Sequence, residues 1–140
     1  MYVAQVGRTK PYLIDFPKIG DDLAGFISVA EGAALPFMPK RVYWAYGIPE
    51  GVVRGEHAHR ELEQVVVAVA GVVDIRLETV KGKRYNFRLD SPVKGLFIPK
   101  LCWRELVYSP GSVLMCIASL EYAESDYIRS LVEFKSLVNR

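Results

Sequence analysis

Residues 54–78 read RGEHAHRELEQVVVAVAGVVDIRLE, and this stretch decides the fold. Val65 to Ala70 is an unbroken apolar run closed by Gly71, the pattern of a strand buried on both faces. Val72 to Glu78 then alternates, with Val73, Ile75 and Leu77 on one side, and reads as a half-buried strand paired with the first in a hairpin. Just upstream the two histidines of the chain lie two residues apart, His57 and His59. In an extended segment the two-residue repeat sets both on one face, where they can act together on one ligand.

Outward from this stretch the chain continues in short β-type runs. Tyr12 to Phe16 reads as a strand, Lys18 to Asp22 as a turn, and Phe26 to Ala30 as a strand before a loop over Glu31 to Pro39. Arg41 to Tyr46 is rich in aromatic and β-branched residues and reads as a strand, while Gly47, Pro49 and Gly51 make a loop that leads to Arg54. On the far side, Tyr85, Phe87 and Leu89 alternate with polar neighbours after a turn at Lys81 and Gly82. Gly95 to Ile98, Cys102 to Tyr108 and Val113 to Leu120 follow at similar spacing. Short strands so regularly spaced predict an all-β antiparallel sandwich or barrel. The one helical period, Ile128, Leu131, Phe134, Leu137 and Val138 in ESDYIRSLVEFKSLV, predicts a short C-terminal helix. No repeat or linker divides the 140 residues, so one domain over 1–140 is expected.

The 18 basic and 16 acidic residues are spread along the chain, without the basic run of a nucleic-acid binder. Positive charge is nevertheless local: Lys40, Arg41, Arg54 and Arg60 surround the histidine segment and suit a small anionic ligand. A hydrophobic fraction of 51% is high for a soluble protein of this length and fits apolar surface buried against a second subunit. Cys102 and Cys116 lack CxxC spacing and read as buried thiols in a reducing compartment. The opening MYVAQVGRTKPYLIDF lacks the pattern of a secretory signal, and no apolar run approaches the roughly 20 residues that span a bilayer, so a cytoplasmic protein with no membrane partner is expected.

His57, His59, Glu63 and Gly71 are spaced as HxH, three residues, Glu, seven residues, Gly. This resembles the first motif of the cupins, which implies a double-stranded β-helix, or jelly-roll, barrel with those side chains facing its interior. The second cupin motif supplies a Pro, a Gly and a fourth ligand His; here GLFIPKLCWREL offers Pro99 but places Arg104 where that His would stand. Two His and a carboxylate can hold a divalent ion with open positions. A guanidinium has no lone pair to donate and keeps its charge, so Arg104 opposes a metal and favours an anionic or carbonyl-bearing ligand. The expectation is a site without metal or cofactor, with the histidines as acid–base groups. Two other readings stay open here: a metal-dependent cupin enzyme using His57, His59 and Glu63, and a sugar-nucleotide-binding module without catalysis.

A closer resemblance covers almost the whole chain. LPFMPKRVYWAYGIPEGVVRGEHAHRELEQVVVAVAG, LDSPVKGLFIPKLCWRELVYSPGSVLMCIAS and EYAESDYIR are similar, in order and spacing, to the nucleotide-sugar 3,4-ketoisomerases of the cupin superfamily. That resemblance implies action on dTDP-4-keto-6-deoxyglucose, moving the ketone from C4 to C3 through an enediol in deoxyamino-sugar biosynthesis for surface polysaccharides. It also implies a homodimer, with N-terminal strands exchanged between subunits as one form of it. The chemistry needs a base, a proton donor and a stabiliser of the developing oxyanion. His59 is expected as base, His57 as its partner in proton shuttling, and Tyr43 as proton donor or hydrogen-bonding group. Arg41 and Arg54 are expected at the diphosphate, Arg104 at the ketone and Gln64 at a sugar hydroxyl, with Glu63 orienting an imidazole and Trp103 lining the pocket or stacking on base or sugar. The segment GDDLAGFISVAEG departs from the family pattern, with Ala24 where an Arg is common.

Overall fold

The computed structural model describes residues 9–139. The reading of the first eight residues as free of a secretory signal therefore lies outside the described residues. Twelve strands run β1 (Tyr12–Asp15), β2 (Lys18–Asp21), β3 (Gly25–Ser28), β4 (Arg41–Tyr46), β5 (Val53–His59), β6 (Gln64–Ala70), β7 (Val73–Thr79), β8 (Arg84–Leu89), β9 (Lys94–Ile98), β10 (Cys102–Tyr108), β11 (Val113–Ala118) and β12 (Tyr127–Ile128). One α-helix among the described residues, α1 (Leu131–Ser136), follows and ends in a tight turn over Leu137–Asn139. The strands form two five-stranded antiparallel sheets, β1-β9-β6-β11-β4 and β12-β5-β10-β7-β8, and a separate β2–β3 hairpin.

The two sheets face each other across the main core. Val66, Ala68, Leu96, Ile98, Leu114 and Cys116 of the first meet Val73, Ile75, Leu77, Leu89, Cys102, Leu106 and Tyr108 of the second. This is the jelly roll implied by the histidine motif. The apolar run over Val65–Ala68 is buried on both faces because its alternate residues, Val65 and Val67, pack outward against Phe16, Leu35, Phe37, Phe97 and Ile117. Each such side chain contributes about 1.5–3 kcal/mol of burial. On the outer face of the second sheet, Ala58, Trp103 and Ile128 are covered by Phe134 of α1. Ser130 caps that helix by accepting a hydrogen bond from the Glu133 N–H at 3.2 Å.

Two local expectations differ from the structure. β6 and β7 do not form a hairpin: β6 pairs with β9 and β11, β7 with β8 and β10, and the chain crosses between sheets at Gly71. Gly71 has φ +72°, and a Cβ there would lie 2.4 Å from Ser112 Oγ, so the crossing needs glycine. Lys18–Asp22 is not a simple turn: Lys18–Asp21 pairs with Gly25–Ser28, and Asp21 Oδ1 accepts from the N–H groups of Leu23 and Ala24 at the tip. Lys, Gly and Asp are poor strand formers, so the strand left little trace in composition.

Candidate active site

The site lies between the two sheets and begins with a bulge in β5. Arg104 of β10 pairs with His57, but Glu105 pairs with Gly55, so Gly55 and Glu56 oppose a single step of β10. Gly55 has φ +86° and Glu56 φ +52°; a Cβ on Gly55 would sit 2.8 Å from Leu106 Cδ1 and 2.9 Å from the Arg104 carbonyl oxygen. On the other side of β5, β12 sets Tyr127 opposite His59. The imidazoles meet edge to face with centroids 4.9 Å apart, and the Tyr127 ring packs 5.1 Å from His57 and 4.4 Å from His59.

A cavity of about 550 Å3 opens beside them. Arg41 and Tyr43 of β4 and Gln64 of β6 line it from the first sheet; Arg54, His57 and Arg104 line it from the second; Tyr122, Tyr127 and Arg129 close it from the C-terminal segment. Six of the expected residues, Arg41, Tyr43, Arg54, His57, Gln64 and Arg104, thus share one wall space. His59 has no exposed surface and lies against His57 rather than in the wall.

Glu63 and Trp103 stand elsewhere. Glu63 is in the connection from β5 to β6, where its backbone exchanges hydrogen bonds with Ser119, and it is not part of the cavity wall. Trp103 is one residue out of phase with Arg104, so it points to the outer face and packs on Phe134 at 5.8 Å.

The carboxylate that meets an imidazole is that of Asp126: its Oδ2 lies 3.1 Å from His59 Nδ1. The other Asp126 oxygen accepts from the Glu61 N–H, and Oδ2 also accepts from the Leu62 N–H. A carboxylate so engaged can only accept, so His59 carries its proton on Nδ1 and its lone pair on Nε2. His57 Nδ1 faces the Gly55 carbonyl at 2.9 Å and is fixed in the same tautomer. His59 Nε2 is buried without a hydrogen-bond partner among the described residues. Sequence reading missed Asp126, Tyr127, Tyr122 and Arg129; their signal was the dense polar and aromatic run YAESDYIR just before the helix.

Arg104 is fully buried, donating from Nη1 to Gln64 Oε1 and from Nη2 to the Cys102 carbonyl at 3.2 Å. Gln64 Nε2 donates to the Tyr43 hydroxyl at 2.6 Å. No carboxylate pairs with Arg104 among the described residues, so the cavity holds an uncompensated cation, costly unless an anionic or oxyanionic ligand meets it. Burial, followed by the nearby guanidinium, lowers His57 to about 4 and His59 to about 2, so both rings are neutral at pH 7. Burial also pushes the Tyr43 phenol up, keeping it protonated, and raises the Cys116 thiol to about 11.

These residues do not fit the metal that many cupins hold. Arg104 stands beside the histidines as a permanent cation, and Glu63 is not grouped with them. Among the described residues no cluster of three His, Cys, Asp or Glu side chains forms a metal site.

A family model described as FdtA: WxcM-like, C-terminal matches residues 9–139. The chain belongs to this family. A TDP-4-oxo-6-deoxy-alpha-D-glucose-3,4-oxoisomerase of Aneurinibacillus thermoaerophilus is 35% identical over 127 residues, covering 90% of this chain and 91% of the relative. The crystal structure of the sugar 3,4-ketoisomerase QdtA from Thermoanaerobacterium thermosaccharolyticum in complex with TDP superposes with TM-score 0.88 at 34% identity, covering 94% of this chain and 96% of QdtA. A 3,4-ketoisomerase from Helicobacter canadensis superposes with TM-score 0.87 at 36% identity, over 93% and 98% of the two chains. The resemblance carried by RGEHAH, LDSP and DYIR therefore holds over the whole FdtA-like domain.

Proposed function

We propose that this protein is a metal-independent isomerase that moves the ketone of dTDP-4-keto-6-deoxyglucose from C4 to C3. The observation that carries the reading is the neutral His57 in the cavity wall, its Nδ1–H given to the Gly55 carbonyl so that Nε2 keeps its lone pair, in a site whose buried Arg104 guanidinium has no carboxylate partner among the described residues. His57, which lines the cavity, takes the proton from the carbinol carbon C3; His59, the base expected from sequence, is fully buried behind it and outside the wall. Electrons move into the C3–C4 bond and onto the C4 oxygen, giving an enediolate whose charge Arg104 offsets. Protonation at C4 and loss of the C3 hydroxyl proton complete the shift without an external oxidant or reductant. His59, anchored on Asp126 and in contact with His57, holds the base in place, while the Tyr43 phenol and Gln64 amide hold the sugar. Arg41 and Arg54 meet the diphosphate, for which planar guanidinium forks are suited.

The protein acts as a homodimer in this reading. Supporting it, the β2–β3 hairpin exposes Ile19, Leu23, Phe26 and Ile27, and the outer face of β4 exposes Val42, Trp44 and Tyr46. A reducing, cytoplasmic setting suits the buried thiols Cys102 and Cys116. Among the described residues no helix is long and apolar enough to cross a membrane.

The test is substitution of His57 by Asn, whose side-chain amide can still donate to the Gly55 carbonyl but offers no base. Turnover is expected to fall by about 10²–10⁴-fold, with TDP affinity close to that of the unsubstituted protein. Full activity in His57→Asn overturns the base assignment.

A further inference from the structure

Gln64 opens β6 in the first sheet, where it pairs with Ile98 and Ala118, yet its amide reaches Arg104 of β10 in the second. Arg104 Nη1 donates to Gln64 Oε1, and Gln64 Nε2 donates to the Tyr43 hydroxyl oxygen at 2.6 Å. The Cys116 thiol, on β11 opposite Tyr43, is the other hydrogen-bond neighbour of that phenol. All four side chains line the cavity. Gln64 is only 2% exposed, so an amide turned the wrong way would leave buried groups unpaired at a cost of about 1–3 kcal/mol each.

The direction of this chain follows from its first member. A guanidinium has donors and no acceptor, so the end of the amide that faces Arg104 is the carbonyl oxygen. The opposite end is then the amide nitrogen, which only donates, and the Tyr43 oxygen receives it. A phenol that accepts from Gln64 points its own hydrogen elsewhere, to the Cys116 sulfur or to a ligand in the cavity. Sulfur is a weak acceptor, so a sugar oxygen takes that hydrogen readily. Burial holds the phenol well above its ordinary range, which keeps it a donor at working pH.

We propose that Gln64 is a positioning residue that passes the donor-only character of Arg104 on to Tyr43, so that the phenol presents its hydrogen to the sugar oxygen on which negative charge develops. Gln64 does this in addition to its own contact with the sugar, and the inference rests on the isomerase reading of the site. A ketone or enediolate oxygen has lone pairs and no hydrogen, and so matches a site set to donate. Gln64→Glu reverses the setting: a carboxylate accepts from Arg104 and from Tyr43 alike, turns the phenol hydrogen away from the sugar and neutralises the cation.

Turnover of dTDP-4-keto-6-deoxyglucose and affinity for TDP are measured for the full-length protein, Gln64→Glu, Gln64→Met, Tyr43→Phe and the Gln64→Met/Tyr43→Phe pair, with thermal unfolding run on each. Two substitutions of similar length keep the test decisive where one of them fails to fold. Gln64→Glu is expected to lower kcat by about 10²–10³-fold, the loss of an oxyanion donor, with TDP affinity within about threefold. Gln64→Met leaves Arg104 uncompensated but releases the phenol, and should lower kcat about tenfold when Tyr43 is present and no further in Tyr43→Phe, since the effect runs through the phenol. Loss of Gln64's own contact with the sugar raises KM in both backgrounds. Equal falls in kcat in both backgrounds, full kcat in Gln64→Glu, or TDP affinity falling in step with kcat would overturn the proposal. An unsubstituted protein that binds TDP without moving the ketone overturns the isomerase reading; one that turns over but shows equal falls in both backgrounds overturns this inference alone.

Discussion

At the scale of single residues, the two imidazoles are neutral because of what surrounds them. Burial and the Arg104 guanidinium hold His57 near 4 and His59 near 2, while the Gly55 carbonyl and the Asp126 carboxylate fix the proton of each ring on Nδ1. Asp126→Asn removes the acceptor that fixes the tautomer of His59, the ring packed behind His57, and is expected to lower kcat by about 10–100-fold. An unfolded histidine titrates near 6.5, so below that pH the unfolded chain binds protons that the native rings refuse. Stability from these rings is therefore complete above about pH 6.5 and declines as pH falls toward about 4 for His57, and further for His59. Thermal unfolding followed from pH 7.5 to 4.5 should show a falling Tm, with a shallower fall in His57→Asn. Parallel profiles for the two proteins would contradict a neutral, buried His57.

At the scale of elements, the β5 bulge does the aiming. Gly55 and Glu56, both at positive φ, absorb an extra residue so that His57 lies opposite Arg104 and His59 opposite Tyr127. Gly55→Ala places a methyl against Leu106 and the Arg104 carbonyl at a backbone conformation that alanine disfavours. It should cost at least about 1 kcal/mol of stability and reduce kcat more than TDP affinity, read by denaturant unfolding and steady-state kinetics. Unchanged kcat would mean that the bulge does not set the histidines. The same element explains what could be read from sequence. Strand periodicity placed both histidines on one face, and β4 and its neighbours followed from β-branched and aromatic patterning. The crossing at Gly71 and the strand at Lys18–Asp21 were not legible, since one depends on Ser112 crowding a glycine and the other on pairing between residues of low strand propensity.

At the scale of the whole molecule, the site is assembled from distant parts of the chain: β4, β5, β6, β10 and the segment after β11 meet around one cavity. The histidines, arginines and Tyr43 were legible because they sit in strands of clear period. Asp126 was not, because its meeting with His59 crosses 67 positions and is made by β12, a strand of only two residues. Glu63 was expected to orient an imidazole and Trp103 to line the pocket, but strand phase turns Trp103 outward and Glu63 falls in a connection. The apolar β2–β3 hairpin and the outer face of β4 call for cover, so sedimentation equilibrium should return a dimer at micromolar concentration. A monomer there would contradict the homodimer and leave the cavity chemistry standing.

The central claim, proton transfer between adjacent sugar carbons, is tested most directly by incubating the protein with dTDP-4-keto-6-deoxyglucose in deuterated water and following the sugar by NMR. The account predicts a 3-keto product with deuterium at C4, formed without added metal or cofactor. A 4-keto sugar that binds and returns with neither a shifted ketone nor incorporated deuterium would contradict it.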